Sequence, residues 1–213
     1  MRNLLFDLDG TLSNPEQGIC NSFRHALMKL ERVQLDNKQL HRYIGPPLRE
    51  SFADLLGSKN QAQIEQATNH YREYFASKGL FENELYPGIT ALLESLHAEG
   101  KRIYLATSKP LVYATQIIHY FQLQDYFQGL YGSELSGERS NKAELLRYII
   151  QQEHLDSRDS VMIGDRRHDI VAARVNRMMS IGVLWGFGTK QELREVGTDH
   201  LCPSIAELAL MLS

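Results

Sequence analysis

Two carboxylates one residue apart follow the first apolar run of the chain, in the stretch FDLDGT at residues 6–11. If that run forms a strand, Asp7 and Asp9 flank Leu8 and point to the same face, because side chains alternate along a strand. Two carboxylates about 4 Å apart repel each other by roughly 1 to 4 kcal/mol, depending on the local dielectric. The pair therefore predicts either a cation between the side chains or a carboxyl group that keeps its proton for acid and base chemistry.

Polar side chains also follow two of the other apolar runs. The runs RIYLAT (102–107), SVMIGD (160–165) and SIGVLWG (180–186) are short and nearly continuous, which is typical of strands covered on both faces. A hydroxyl pair, two lysines and two acids lie at the ends of the runs at 102–107 and 160–165 or in the helical segments next to the latter. They are Thr107, Ser108, Lys109, Lys142, Asp165 and Asp169. Ligands of open parallel sheets gather at the carboxyl ends of the strands, so we expect these side chains to meet at one edge.

Each of these side chains alone has an ordinary structural explanation as a turn former, a strand residue or a solvated lysine. Together they form a complementary set. A hard divalent cation such as Mg²⁺ takes one or two carboxylates plus substrate phosphate, while hydroxyl and ammonium groups suit phosphate oxygens. The set therefore predicts a metal-assisted phosphate site.

The elements that must position these residues alternate along the chain. Segments with a helical period at 88–100, 110–121 and 141–154 lie between the strand candidates, and Asn141 is the expected N-cap of the last. This alternation predicts an α/β fold with a Rossmann-like parallel sheet. Residues 14–85 have an almost entirely helical pattern, which predicts an inserted all-helical cap domain on a core formed by residues 1–13 and 86–213.

Composition narrows the class of protein. The chain has 213 residues, a formal net charge of −3 and 43% hydrophobic residues, which is typical of a globular protein, and no stretch is apolar enough to span a bilayer. This charge gives no electrostatic reason to expect nucleic acid or a membrane surface as a partner. The first apolar run is too short for a secretory signal, and the only two cysteines, Cys20 and Cys202, lie far apart. We therefore expect a cytoplasmic protein with reduced thiols.

Four motifs, in order, resemble those of the haloacid dehalogenase (HAD) superfamily of phosphohydrolases. They are DLDGT at 7–11, ATSKP at 106–110, Lys142, and GDRRHD at 164–169. The helical block resembles the cap of that family, and its IGPPL at 44–48 is similar to the phosphoglycolate phosphatase and 5'-nucleotidase-like branch. The resemblance implies a Mg²⁺-dependent phosphatase that acts on a small phosphorylated metabolite.

The resemblance also implies roles for individual residues. Asp7 becomes the nucleophile that forms an aspartyl-phosphate, and Asp9 becomes the general acid and base. Thr107 holds a phosphoryl oxygen, and Lys142 steadies the nucleophile and offsets charge in the transition state. The expected Mg²⁺ ligands are the Asp7 and Asp165 side chains and the Asp9 backbone carbonyl, with an orienting role for one further acid, Asp169.

The remaining expectations concern the substrate. The resemblance extends substrate binding to Gly10, Thr11, Ser108 and Lys109, and in the cap to Arg49. The sequence does not choose among phosphoglycolate, a nucleoside monophosphate and pyrophosphate as the substrate. The protein is expected to be a monomer or a homodimer. A sugar-phosphate mutase and a catalytically silent phosphate-binding protein are the alternatives on this fold, whereas a receiver-type signalling domain lacks a helical insertion.

Overall fold

A computed structural model describes residues 1–213 and divides them into two compact units. The first unit contains residues 1–14 and 85–213, and the second contains residues 15–84. Chain connectivity therefore inserts the second unit into the first directly after the first strand region.

The first unit contains a six-stranded sheet whose paired strands are all parallel. Its strands are β1 (Asn3–Phe6), β4 (Arg102–Pro110), β5 (Gly129–Ser133), β6 (Ser160–Gly164), β7 (Met179–Val183) and β8 (His200–Cys202). They lie in the order β5-β4-β1-β6-β7-β8, which confirms the predicted α/β class with a parallel sheet. Two shorter strands, β2 (Ser13–Asn14) and β3 (Glu84–Leu85), pair separately where the chain passes between the units.

Six helices belong to this unit. They are α5 (Ile89–Ala98), α6 (Leu111–Tyr120), α7 (Lys142–Gln152), α8 (Arg167–Val175), α9 (Lys190–Glu195) and α10 (Ile205–Leu212). The predicted cap of α7 is confirmed, because the Asn141 side chain accepts hydrogen bonds from the backbone N–H groups of Ala143 and Glu144. This cap makes Lys142 the first residue of the helix.

The structure corrects three strand predictions. β7 ends at Val183 rather than at residue 186, and β4 continues past Thr107 to Pro110 with an irregular register. β1 ends at Phe6, so the alternation of a strand does not decide where Asp7 and Asp9 point. Four strands were not predicted. β5 contains two glycines, β8 is only three residues long, and β2 and β3 have two residues each.

The core of the first unit explains why its strands read as apolar runs. Leu5, Tyr104 and Met162 on three neighbouring strands are fully buried and belong to one cluster with Leu146 and Ile149 of α7. Strands covered on both faces have no solvent side that would require alternating polar residues. The loops that carry the polar residues leave the carboxyl ends of these buried strands.

A partly buried carboxylate beside this core accepts hydrogen bonds from two tyrosine hydroxyls. The Tyr104 hydroxyl donates to Glu153 Oε2 at 3.2 Å, and the Tyr131 hydroxyl donates to Glu153 Oε1. Burial, followed by repulsion from the Glu153 carboxylate, raises the pKa of Tyr104 to about 12. The folded protein therefore keeps a proton on Tyr104 at pH values where an unfolded chain, with a tyrosine pKa near 10, loses it.

We expect Tyr104 to make the protein sensitive to alkali. The raised pKa contributes stability that is fully present below about pH 10 and is lost as the pH rises toward 12. Between pH 9 and pH 11 the free energy of unfolding should fall by about 1 kcal/mol more in the wild type than in Tyr104→Phe, after allowance for solvent screening. Urea titrations at both pH values measure this difference, with Tyr120→Phe on the exposed side of α6 as the control. Equal slopes in wild type and Tyr104→Phe would contradict the assignment.

The second unit is helical, as predicted. Its helices are α1 (Glu16–Lys29), α2 (Asn37–Leu40), α3 (Leu48–Leu56) and α4 (Gln61–Tyr74), with a short 3₁₀ turn at His41–Tyr43 and a π turn at Phe75–Gly79. The ring of Phe23 packs against Tyr43, Phe52 and Tyr71, with centroids 4.9–5.8 Å apart, and these rings give the unit a core of its own. No helix of the chain combines the length and the apolar character that crossing a membrane requires.

Candidate active site

Three carboxylates converge at the carboxyl edge of the parallel sheet. Asp7 follows β1, Asp165 follows β6, and Asp169 lies in the first turn of α8. All three side chains are buried, and each offers an oxygen that lies within 4.8 Å of the other two. Neighbouring central strands thus deliver acids from distant parts of the sequence to one point, as the sheet topology predicts.

One ammonium group lies among these acids. Lys142 Nζ is 2.7 Å from Asp7 Oδ1 and 2.9 Å from Asp169 Oδ1, and it donates to the backbone oxygen of Ala106 at 2.7 Å. Burial acts to lower the pKa of Lys142, but attraction to Asp169 and Asp7 outweighs burial and raises it. The lysine is therefore charged, and it is shared between two of the three acids.

After this pairing the site still holds more carboxyl groups than ammonium groups. Burial, followed by repulsion from Asp169 and Asp7, raises the pKa of Asp165 well above its ordinary value. Burial also raises the pKa of Asp169, against the attraction of Lys142. Asp165 Oδ1 is buried and has no hydrogen-bond partner. An all-oxygen donor set with surplus carboxyl groups fits a hard divalent cation of the Mg²⁺ type.

Asp9 has a different ion-pair partner from the three converging acids. Its Oδ2 is 2.8 Å from Lys109 Nζ, and both side chains are almost completely buried. Burial raises the pKa of Asp9, although Lys109 acts in the opposite direction. Thr107 is buried beside this pair, and its hydroxyl oxygen accepts the backbone N–H of Lys109 at 3.2 Å. The converging carboxylates are therefore Asp7, Asp165 and Asp169, and Asp9 adds a fourth acid that follows the same strand as Asp7 and has Lys109 as its partner.

The turn after β1 explains its glycine and threonine. Gly10 has φ +83, in the left-handed region, and a Cβ there would collide with the Asp165 carboxylate. Thr11 is fully buried, and its hydroxyl has no hydrogen-bond partner. Gly10 thus allows the first loop to touch the loop after β6, which brings the acids together.

Two further predicted site residues have identified contacts. The backbone oxygen of Ser108 accepts the Ser133 hydroxyl at 2.8 Å, which links the end of β4 to β5. Arg49 lies in the helical unit, where its guanidinium is 2.8 Å from Glu65 and both side chains are about half exposed. The structure therefore brings together Asp7, Lys142, Asp165 and Asp169, whereas Arg49 is described only within its own unit.

Sequence reasoning missed one segment that contacts the site. The loop after β7, at residues 184–189, approaches Asp165 so closely that a Cβ on Gly186 or Gly188 would collide with that residue. The Phe187 backbone N–H donates to Asp165 Oδ2 at 2.7 Å. The signal was the pair of glycines in WGFG at 185–188, but the strand prediction at 180–186 took Gly186 as the end of a strand and did not use Gly188.

A parallel α/β sheet with converging acids and a buried lysine at its carboxyl edge defines a class of enzymes that transfer or hydrolyse phosphoryl groups with metal assistance. The family model described as haloacid dehalogenase-like hydrolase matches residues 4–183. The chain therefore belongs to the haloacid dehalogenase-like hydrolase family.

The chain is similar to proteins described as a nucleotidase, a kinase and a phosphatase. The chain is 43% identical to a 5'-nucleotidase from Pseudomonas aeruginosa, over 99% of this chain and 95% of the relative. It is 32% identical to the tyrosine-protein kinase PtkA from Mycobacterium tuberculosis, over 92% of this chain and 66% of the relative. The crystal structure of a "predicted phosphatase" from Clostridium acetobutylicum has a TM-score of 0.95 and 39% identity, over 99% of this chain and 97% of that one.

These findings confirm the prediction of a hydrolase of this family. The predicted phosphatase branch is also confirmed, by the 5'-nucleotidase and by phosphoglycolate phosphatases among the more distant relatives.

Proposed function

We propose that this chain is a Mg²⁺-dependent phosphomonoester hydrolase that acts on a small phosphorylated metabolite through an aspartyl-phosphate intermediate. The observation that carries the proposal is the buried cluster of Asp7, Asp165 and Asp169 with the Lys142 ammonium among them. A structural role alone leaves this cluster unexplained, since three buried carboxyl groups around one ammonium group must either bind a cation or take up protons.

Asp7 is the proposed nucleophile. Lys142 holds its Oδ1 at 2.7 Å, which fixes the carboxylate at the end of β1 and leaves Oδ2 for attack. Attack on phosphorus forms the Asp7–phosphorus bond and breaks the bond from phosphorus to the leaving oxygen. The ammonium of Lys142 and the hydroxyl of Thr107 then face developing negative charge on the phosphoryl oxygens.

Asp9 is the proposed acid and base. It donates its proton to the leaving oxygen in the first step and accepts a proton from the attacking water in the second, which releases phosphate and regenerates Asp7. Its position two residues after the nucleophile places both groups on one loop, and its ion pair with Lys109 fixes that side chain. Gly10, Thr11, Ser108 and Lys109 complete the proposed phosphate-binding set.

The proposed Mg²⁺ ligands are the Asp7 and Asp165 side chains and the Asp9 backbone carbonyl, with Asp169 as an orienting partner. Bound Mg²⁺ supplies positive charge that neutralises the acids and the phosphoryl group. The unpartnered Oδ1 of Asp165 is the oxygen that this chain keeps available for such an ion.

We infer the substrate class from the relatives and assign its selection to the helical unit. The 43% identical 5'-nucleotidase makes nucleoside 5'-monophosphates the first candidates, before phosphoglycolate and pyrophosphate. The helical unit at residues 15–84 is the proposed cap, and Arg49 is its proposed substrate contact. The protein is expected to act in the cytoplasm, as a monomer or a homodimer.

Metal removal tests the proposal. With p-nitrophenyl phosphate and excess Mg²⁺ we expect turnover, and with EDTA we expect a loss of about 10²-fold or more, because the acids are then left uncompensated. Excess Mg²⁺ should restore the rate. Unchanged turnover in EDTA would show that the acidic cluster does not depend on a metal.

A panel of phosphorylated metabolites then identifies the reaction. Release of inorganic phosphate from one class of ester supports hydrolysis. Transfer of the group to a second hydroxyl without phosphate release would instead indicate a mutase, and consumption of a nucleoside triphosphate with a tyrosine peptide would indicate a kinase. Binding of phosphate without turnover on any ester would indicate a silent binding protein.

A further inference from the structure

The segment at residues 184–192, LWGFGTKQE, contacts both loops that carry the acids. It follows β7 and continues into the start of α9. None of its residues belongs to the four sequence motifs of the site. Its hydrogen bonds nevertheless reach the turn after β1, the carboxylate of Asp165 and the first turn of α8. We call this segment the brace.

The brace orients the Asp165 carboxylate. The Phe187 backbone N–H donates to Asp165 Oδ2 at 2.7 Å, whereas Asp165 Oδ1 is buried and has no hydrogen-bond partner. A carboxylate with one oxygen anchored in this way cannot rotate freely, so the second oxygen stays directed away from the brace. The hydrogen bond thereby selects which oxygen is available to a cation.

The two glycines make this approach possible. A Cβ on Gly186 would collide with the Asp165 side chain and the Gly10 backbone oxygen, and a Cβ on Gly188 would collide with the Asp165 backbone oxygen. The backbone of the brace therefore lies directly against the metal-binding loop. An added methyl group must push the two loops apart.

Glu192 holds the other acid-bearing element. Its Oε1 accepts the Arg167 backbone N–H at 2.9 Å and the Arg166 Nε–H at 3.0 Å. The Arg166 backbone N–H in turn donates to Asp169 Oδ2 at 3.1 Å. Glu192 thus fixes the start of α8, the helix whose first turn carries Asp169.

Trp185 completes the contacts of the brace. Its indole N–H donates to the Thr11 backbone oxygen at 3.0 Å. This bond ties the brace to the turn that contains Asp9 and Gly10. The brace is therefore hydrogen-bonded to both the loop after β1 and the loop after β6, and it fixes their positions relative to each other.

We propose that the brace is a positioning element that sets the affinity of the acidic cluster for its divalent cation. The inference rests on the proposed Mg²⁺ site and adds residues that do not touch the ion themselves. Outer partners of metal ligands typically change metal affinity by about 10- to 100-fold when they are removed. The expected signature is a loss of Mg²⁺ affinity that exceeds any loss of folding stability.

Isothermal titration of the substrate-free protein with Mg²⁺ tests this inference. Gly186→Ala should bind Mg²⁺ at least about tenfold more weakly than the wild type. The matched control is Gly100→Ala, the same chemical change at a position with φ +76 and no atom within 4 Å of an added Cβ. It should lower the melting temperature through backbone strain and leave Mg²⁺ affinity unchanged. At saturating Mg²⁺ the turnover of Gly186→Ala should recover to within about threefold of wild type.

Glu192→Gln provides a second test with little change of shape. The amide oxygen still accepts the Arg167 N–H, but the charge that pairs with Arg166 is lost, so Mg²⁺ affinity should fall by a smaller factor of about three to ten. If Gly186→Ala does not fold, the Mg²⁺ affinity of Glu192→Gln alone tests the role of the brace. The proposed role of the brace would be wrong if folded Glu192→Gln bound Mg²⁺ as tightly as the wild type, and if Gly186→Ala, where it folds, did so too. Absence of Mg²⁺ binding by the wild type would overturn the proposed metal site itself.

Discussion

Asp7→Asn is expected to abolish phosphatase turnover, with a loss of at least about 10³-fold at saturating Mg²⁺. An amide oxygen is a far weaker nucleophile than a carboxylate, so the phosphoenzyme does not form. The substitution preserves size and removes one of three crowded acids, so the fold should be kept. Initial rates with p-nitrophenyl phosphate measure the effect, and circular dichroism and the melting temperature check the fold.

The matched control for this experiment is Asp125→Asn. Asp125 is exposed, and the one side-chain hydrogen bond identified for it comes from its neighbour Gln124 at 3.4 Å. Its replacement should leave turnover at the wild-type level. If Asp7→Asn also turned over at that level, the covalent mechanism through Asp7 would be wrong, whereas trapping of a phosphorylated Asp7 peptide from the wild type would support it.

Lys142→Met is expected to reduce both turnover and stability. The Lys142 side chain is 4% exposed and its ammonium pairs with two buried carboxylates, so its removal leaves Asp7 and Asp169 without their shared partner. Breaking a buried ion pair from one side typically costs about 3–5 kcal/mol. Turnover should fall by about 10²-fold or more, because the lysine also offsets charge in the transition state.

Urea unfolding and initial rates measure these two effects separately. Lys59→Met, at an exposed position between α3 and α4, is the control and should change neither quantity. A double-mutant cycle with Asp7→Asn tests the pairing, since the second substitution should cost less stability once its partner is absent. Additive effects on stability would show that the 2.7 Å contact between Lys142 and Asp7 contributes nothing.

Local patterns predicted much of the fold. The central strands β1, β4 and β6 were readable as apolar runs because both of their faces are buried, and α7 was readable from its Asn141 cap. The strand β5 was missed, since Gly129 and Gly132 weaken any strand signal and its pairing with β4 supplies what local propensity lacks. The end of β7 was placed too late, because the Leu184–Trp185 apolar pair continues the pattern into the brace.

For the site, the residues at the strand ends predicted which acids lie near one another, but not how each is paired. Burial and, to a smaller extent, repulsion from Asp7 raise the pKa of Asp9, so the expected repulsion between the two acids is present. The structure adds that Asp9 pairs with Lys109, while Asp7 shares Lys142 with Asp169. These pairings depend on where separate loops pass each other, which no spacing within one motif specifies. The variants described above test the proposed catalytic roles of these residues.

The amino-acid sequence by itself determined the class of fold, the family and the set of chemical groups at the carboxyl edge of the sheet. Strand and helix periods, caps and motif residues are local properties, and each can be read over a few positions. Only the tertiary structure decided that Gly186 and Phe187 lie against Asp165, and that Glu192 holds the start of α8. The physical reason is that each of these hydrogen bonds joins a backbone N–H to a carboxylate 20 or more residues away in the sequence, and backbone N–H groups carry no sequence signature.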